Sequence, residues 1–108
     1  MSRARGNAAE EVAIAYLKGR GCRILARNFY FKGGEIDIIA EKEGVIHFVE
    51  VKSGATFEPA YAITPAKIAR IVRGAQIWIK KNGHTGAWQL DALIVRGDRC
   101  EWLENITI

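Results

Sequence analysis

The segment spanning residues 35–52 limits the possible fold more than any other part of the sequence. Two apolar stretches, Glu35–Ala40 and Val45–Lys52, have the length and the β-branched content of strands. The residues between them, Glu41–Gly44, are polar and end in glycine, as the turn of a hairpin requires. The sequence therefore predicts two antiparallel strands joined by a tight turn.

Three charged residues on this hairpin are unusual for apolar strands. Side chains alternate along a strand, so Glu50 and Lys52 point to the same face. If the chain turns at residues 43 and 44, Asp37 lies opposite Glu50 with Cβ atoms about 4.5–5.5 Å apart, whereas a one-residue shift would turn Asp37 away. Carboxylates this close repel unless a cation lies between them. The pattern predicts a metal site, and the alternative is a structural cluster of salt bridges.

A third carboxylate is predicted to approach the hairpin from the first helix. Apolar residues recur with helical period on one face of this segment, and they are Ala9, Val12, Ala13, Tyr16 and Leu17. Glu10 lies on the shoulder of that face, whereas Glu11 lies nearly opposite, toward solvent. The period therefore places Glu10 within reach of the sheet. The alternative is an ordinary exposed glutamate in a first helical turn.

The remaining elements are predicted from turn and cap residues. A strand is expected at Cys22–Phe31, and a loop at Ser53–Ala62. A second helix begins at Thr64-Pro65 and ends at Asn82-Gly83. Two further strands are expected at Trp88–Arg96 and Arg99–Leu103. The order α-β-β-β-α-β-β over 108 residues predicts a single domain, residues 1–108, of the α/β class with a mixed sheet.

The formal net charge of +4 permits a nucleic acid or another polyanion as partner, without requiring one. Three basic residues, Lys67, Arg70 and Arg73, lie opposite the apolar stripe of the second helix, and Lys80 and Lys81 continue that face. Contact with phosphate is one interpretation of this face. A merely solvated helix face is the alternative.

The cysteines and histidines form no recognisable ligand pattern along the chain. Cys22 and Cys100 are far apart and lack a CxxC partner, which predicts two reduced thiols and a cytoplasmic protein. His47 and His84 have no partner at ligand spacing, so structural roles are expected for both. Neither a signal peptide nor a membrane span is expected.

The two motifs on the hairpin, Gly34-Glu35-Ile36-Asp37 and Phe48-Val49-Glu50-Val51-Lys52, resemble the signature of the YraN-type family of small bacterial proteins. The likeness extends over nearly the whole chain through Gly6, Glu10, Tyr16-Leu17, Ile24–Asn28, Pro65, Lys67 and Asp91. That family looks like a branch of the PD-(D/E)xK nucleases and is related to archaeal Holliday junction resolvases. The resemblance implies a restriction-endonuclease-like αβββαβ core with an extra C-terminal strand.

The resemblance also implies a function and a role for each site residue. Asp37 and Glu50, helped by the main-chain carbonyl of Val51, would hold Mg²⁺ or Mn²⁺. Lys52 would orient or activate the attacking water, and Glu10 would complete the metal shell directly or through water. The activity implied is an endonuclease acting on DNA, including branched or structured DNA. A homodimer would suit substrates with two-fold symmetry.

Several positions depart from the family pattern, and these departures remove expected contacts with the substrate. Ser53–Thr56 stands where an arginine usually follows the lysine of the motif, and Gln89 and Tyr30 stand where basic residues are common. Two further interpretations therefore remain open. One is a nuclease-like fold that binds nucleic acid or a protein without cutting, and the other is a purely structural partner protein.

Overall fold

The structure is a computed structural model that describes residues 2–54 and 63–107, with side chains from residue 8 onward. Its elements in chain order are α1 (Ser2–Gly19), β1 (Arg23–Phe31), β2 (Gly34–Lys42), β3 (Val45–Ser53), α2 (Pro65–Asn82), β4 (Trp88–Arg96) and β5 (Arg99–Leu103). The predicted order of elements is confirmed. Most of the predicted loop at Ser53–Ala62 lies outside the described residues.

The five strands form one mixed sheet in the order β1-β2-β3-β4-β5. β1, β2 and β3 form an antiparallel meander, β3 and β4 are parallel, and β4 and β5 form the final antiparallel pair. Parallel neighbours need a crossover, and α2 lies in that connection. The mixed α/β architecture, with an αβββαβ core and an added C-terminal strand, is thereby confirmed.

The turn between β2 and β3 fixes the register of the hairpin. Glu43 and Gly44 both have positive φ, at 52° and 84°, as a two-residue hairpin turn requires. The paired residues run from Lys42 with Val45 to Ile38 with Val49. This register is the one that brings Asp37 to the level of Glu50.

Helix α1 covers one face of the sheet with the apolar stripe that the sequence predicts. Its Ala13 and Leu17 are fully buried against Ile38, Val49 and Leu93 of the sheet. Cys22 is buried in the same cluster and Cys100 packs against it, and both thiols are free.

Helix α2 covers the opposite face and is held at both ends by its caps. The Thr64 side chain accepts a hydrogen bond from Lys67 N at 3.2 Å, and Pro65 follows at the first helical position. At the other end Gly83 takes a left-handed conformation with φ of 66°. The buried residues of α2, which include Ile71, Ala75 and Trp78, pack on Ile36, Ile39, Phe48 and Leu90. Among the described residues, no helix is both long and apolar enough to cross a bilayer.

The alternation of side chains is interrupted at Asp37. Ile36 belongs to the cluster under α2, whereas Ile38, two residues later, belongs to the cluster under α1. On the neighbouring strand β1 the residue at the same level is Asn28, whose φ of 50° is left-handed. The ladder between β2 and β3 also ends at Ile38 and Val49. The sheet is therefore irregular at Asp37, where regular pairing stops.

Candidate functional site

Asp37 and Glu50 meet at the open end of the β2–β3 ladder. Asp37 Oδ2 accepts a hydrogen bond from the main-chain N–H of Val51 at 2.8 Å. The carboxyl group of Glu50 lies close enough to that of Asp37 to raise its pKa. The two acidic side chains that the register places at the same level are therefore adjacent, although their strands no longer pair there.

The electrostatics of this pair are unfavourable for two charges. Burial raises the pKa of Asp37 to about 8, and the neighbouring charge of Glu50 adds to the effect. The hydrogen bond from Val51 acts in the opposite direction, and the more distant charge of Glu10 raises the pKa a little further. Near neutral pH the pair therefore holds a proton or requires a cation.

Lys52 lies beside Glu50 on β3, as the two-residue spacing predicts. Its Nζ is 3.4 Å from Glu50 Oε2, and both side chains are largely but not fully withdrawn from solvent. One cation next to two carboxyl groups offsets only part of their repulsion. Lys52 thus remains partly accessible at the edge of the acidic pair.

The main-chain carbonyl of Val51 is directed toward the same edge. In an antiparallel ladder the N–H and C=O of one residue face the same neighbouring strand. The N–H of Val51 faces β2, because it donates to Asp37. Its carbonyl oxygen therefore also faces β2, where a cation bound to Asp37 would lie.

Glu10 faces the sheet and Glu11 faces solvent, as the helical period predicts. The Glu10 side chain is 11% exposed and that of Glu11 is 64% exposed. Asn28 Nδ2 donates to both carboxylate oxygens of Glu10, at 3.1 and 3.2 Å. Arg27 lies 3.9 Å from Glu10 and forms a closer ion pair, at 2.8 Å, with Glu11. Glu10 is thus held near the acidic pair by a neighbour on β1.

Asn28 is a site residue that sequence analysis did not identify. Its Nδ2 also donates to Glu35 Oε2 at 2.8 Å, so one amide bridges acidic residues of α1 and β2. Asparagine is depleted in strands but tolerates the left-handed region. An asparagine inside the predicted strand Cys22–Phe31 was the one available signal of an irregular position.

Comparison with known proteins gives the family of this arrangement. The profile of Uncharacterised protein family UPF0102 matches residues 9–96. The chain belongs to this family. A UPF0102 protein of Wolinella succinogenes is 55% identical over 108 residues, which is 100% of both chains. UPF0102 proteins of Helicobacter hepaticus and Helicobacter pylori are each 48% identical, over 99% and 97% of this chain and 97% and 92% of their own lengths. The resemblance to the YraN-type family is thereby confirmed.

In this UPF0102 chain two basic residues of α2, Arg70 and Arg73, lie over the turn that precedes β2. Lys67 is half-buried, and Arg70 and Arg73 are exposed. A Cβ on Gly33 would stand 2.7 Å from Arg73 Nη2, and one on Gly34 would stand 3.0 Å from Arg70 Cδ. The two glycines therefore allow both arginines to lie close over the start of β2, the strand that carries Asp37.

His47 has a partner that its spacing along the sequence does not reveal. Its Nδ1 lies 2.6 Å from Asp91 Oδ2 although 44 residues separate the two in sequence, and one ligand atom each of His47, Asp91 and Glu104 lies within 4.8 Å of the others. Burial acts to raise the pKa of Asp91, but hydrogen bonds from His47, Asn105, Gln89 and Trp102 outweigh it and leave the pKa below its usual value. Among the described residues, the His84 ring hydrogen-bonds only to the carbonyl of Ala87, at 3.0 Å.

Proposed function

We propose that this chain is a Mg²⁺- or Mn²⁺-dependent endonuclease of the PD-(D/E)xK type, which hydrolyses phosphodiester bonds in DNA. The observation that carries the proposal is the adjacency of Asp37 and Glu50 at an irregular, partly open point of the sheet, with Lys52 at 3.4 Å from Glu50. A salt-bridge cluster built for stability would pair its charges evenly. Here two carboxyl groups compete for one lysine.

The donor atoms at this point fit a hard divalent cation. Asp37 and Glu50 supply carboxylate oxygens, and the Val51 carbonyl faces the same edge. Glu10, held by Asn28, is placed to act through a water molecule. When bound, the ion would act as a Lewis acid and lower the pKa of a coordinated water.

Lys52 is the residue proposed to act on the substrate. Its ammonium group lies beside Glu50 and keeps some exposure to solvent, so it can reach a phosphate at the edge of the site. There it would offset negative charge on the phosphate and hold the attacking water in place. Glu50 would keep the lysine directed toward the metal.

The basic residues on α2 supply the proposed contact with DNA. Arg70 and Arg73 lie over the turn before β2, the strand that carries Asp37, and Lys67 lies about one helical turn earlier on α2. Contacts of this kind position the backbone without selecting sequence. We propose branched or structured DNA as the substrate class, a homodimer for two-fold substrates, and action in the cytoplasm.

A cleavage assay with metal tests the proposal. Linear, flapped and four-way DNA are incubated with wild type and with Asp37→Asn, Glu50→Gln and Lys52→Ala in Mg²⁺ or Mn²⁺. Cutting is expected from wild type and from Glu101→Gln, an exposed change on β5 that serves as the matched control, and not from the three site variants. If wild type binds DNA in a salt-dependent manner but cuts none of these substrates, the chain is instead a binding module with a nuclease-like fold.

A further inference from the structure

A second cluster of ionisable side chains lies at the other end of strand β3. His47 precedes Glu50 by three residues, about 10 Å along an extended strand. His47 lines a cavity of about 360 Å³ whose other walls are Lys42, Glu43, Val45, Gln89 and Glu104. None of these residues takes part in the proposed nuclease site, so the cavity requires its own explanation.

The imidazole of His47 is held in one orientation. Its Nδ1 is hydrogen-bonded to Asp91 at 2.6 Å, its ring packs against Trp102 with centroids 5.4 Å apart, and its side chain is only 5% exposed. Nε2 has no hydrogen-bond partner among the described residues. Every buried side-chain nitrogen and oxygen in the described part of the chain does have a partner. Nε2 is therefore not sealed in the core but opens into the cavity.

Asp91 orients the histidine and has no oxygen left for another ligand. Its Oδ2 accepts from His47 and from Trp102 Nε1 at 2.8 Å. Its Oδ1 accepts from Gln89 Nε2 at 2.8 Å and from the Asn105 N–H at 2.9 Å. A carboxylate that receives one imidazole N–H while the other ring nitrogen stays free is the arrangement that supports metal-binding histidines.

Glu104 places a second candidate ligand group on the wall of the cavity. One of its carboxylate oxygens lies within 4.8 Å of a ring nitrogen of His47 and of a carboxylate oxygen of Asp91. Its Oε1 accepts from Gln89 at 3.1 Å, and no other described residue hydrogen-bonds its carboxylate. The cavity wall carries two acidic side chains, Glu43 and Glu104, and one lysine, Lys42. The cavity thus combines one fixed imidazole nitrogen with excess negative charge.

We propose that His47 Nε2 and Glu104 bind a divalent transition-metal ion such as Zn²⁺, with Asp91 as the residue that positions the imidazole. An imidazole ligand favours Zn²⁺ over Mg²⁺, whereas the oxygen-only set at Asp37 and Glu50 favours Mg²⁺ or Mn²⁺. With two protein ligands the remaining coordination positions are filled by water, which makes this an open site rather than a closed structural one. It is independent of the nuclease proposal.

Nuclear magnetic resonance of the two histidines gives the direct test. The chain has two histidines, so ¹⁵N-labelled imidazoles give two simple sets of signals, with His84 as an internal control. In a chain that carries Asp37→Asn and Glu50→Gln, one equivalent of Zn²⁺ is expected to shift the His47 Nε2 signal and to leave His84 unchanged, while Mg²⁺ moves neither. An unmoved His47, or equal shifts of both histidines, would overturn the proposal.

Calorimetry on variants identifies the ligands. All variants are built on an Asp37→Asn, Glu50→Gln background, so that zinc bound at the first site does not contribute. His47→Asn keeps a donor for Asp91 but deletes Nε2, and Glu104→Gln keeps an acceptor for Gln89 but deletes the charge. Each is expected to weaken Zn²⁺ binding by more than the about 10–100-fold that an outer-shell partner contributes.

The control for these variants is Glu101→Gln, an equal loss of charge on exposed β5 that should leave the affinity unchanged. Glu104 is exposed, so Glu104→Gln also serves if His47→Asn does not fold. Zinc affinity that is the same in Glu104→Gln and Glu101→Gln would refute the proposed site.

Discussion

Asp37 and Asp91 are both withdrawn from solvent on strands of the same sheet, yet their pKa values shift in opposite directions. Asp91 is fully buried and receives four hydrogen bonds, which hold its pKa below the usual value. Asp37 is less buried, receives one hydrogen bond among the described residues, and lies against Glu50, so its pKa rises to about 8. The supply of donors, more than burial, decides whether a carboxylate is satisfied by the protein.

This difference in hydrogen bonding suits the two residues to different roles. A carboxylate with every lone pair occupied holds neighbouring groups in place, as Asp91 does for His47, Trp102 and Asn105. A carboxylate whose nearest neighbour is another carboxylate is stabilised only by a proton or by a cation from outside. The second arrangement is the one expected of a metal-binding site.

The largest expected effect is on stability without metal. Asp91→Ala leaves the buried donor of His47 and the part-buried donor of Trp102 unsatisfied. It should lower the free energy of unfolding by about 3–5 kcal/mol. Asp37→Asn relieves repulsion and should leave it level or raise it. Thermal melts in a chelator measure both, with Asp98→Ala in the exposed β4–β5 turn as control. Equal losses in the two variants would make the Asp37 pair a structural cluster.

Metal bound at Asp37 and Glu50 is expected to stabilise the folded protein, by an amount that rises with the logarithm of the free metal concentration. At about 100 times the dissociation constant, Mg²⁺ or Mn²⁺ should add about 2.7 kcal/mol to the free energy of unfolding of wild type. Asp37→Asn and Glu50→Gln should lose this increment, while Lys52→Ala should keep it because the lysine is not a ligand. Melts with and without metal measure it. An undiminished increment in Glu50→Gln would remove that residue from the metal site.

The raised pKa of Asp37 predicts how stability without metal depends on pH. A carboxyl group whose pKa is higher in the folded state binds more protons there than in the unfolded state, so its contribution is present below about pH 4 and is lost as pH rises toward about 8. Wild type should therefore lose stability over that interval relative to Asp37→Asn. Denaturant titrations at several pH values measure the difference. Parallel pH profiles would contradict the assignment.

The smallest expected effect concerns the basic residues near the Asp37 region. We expect each replacement of Lys67, Arg70 or Arg73 with alanine to make the binding constant for DNA less dependent on salt. The slope of log binding constant against log salt should become less steep by about 0.9 for every phosphate of duplex DNA that the lost side chain neutralises. Lys80→Ala and Lys81→Ala, at the far end of α2, should change it less. Fluorescence anisotropy over a salt series measures the slopes. Equal slopes in all five variants would mean that Lys67, Arg70 and Arg73 belong to a solvated helix face and do not contact DNA.

Much of the site could be predicted because its geometry is local. The turn at residues 43 and 44 sets the register that brings Asp37 level with Glu50, and a spacing of two residues puts Lys52 beside Glu50. Helical period separates Glu10 from Glu11. Each relation depends on a repeat distance within one element or one hairpin. None requires knowledge of how distant segments pack.

The sequence by itself thus determined the order of elements, the register of the central hairpin and the family. Only the tertiary structure decided that Asn28 joins Glu10 to Glu35, and that Asp91 meets His47 across 44 residues. It also decided that the alternation of side chains breaks at Asp37. Periodicity fixes the direction of a side chain relative to its own strand or helix. Contacts between segments depend on how the sheet and helices pack, which no local period encodes.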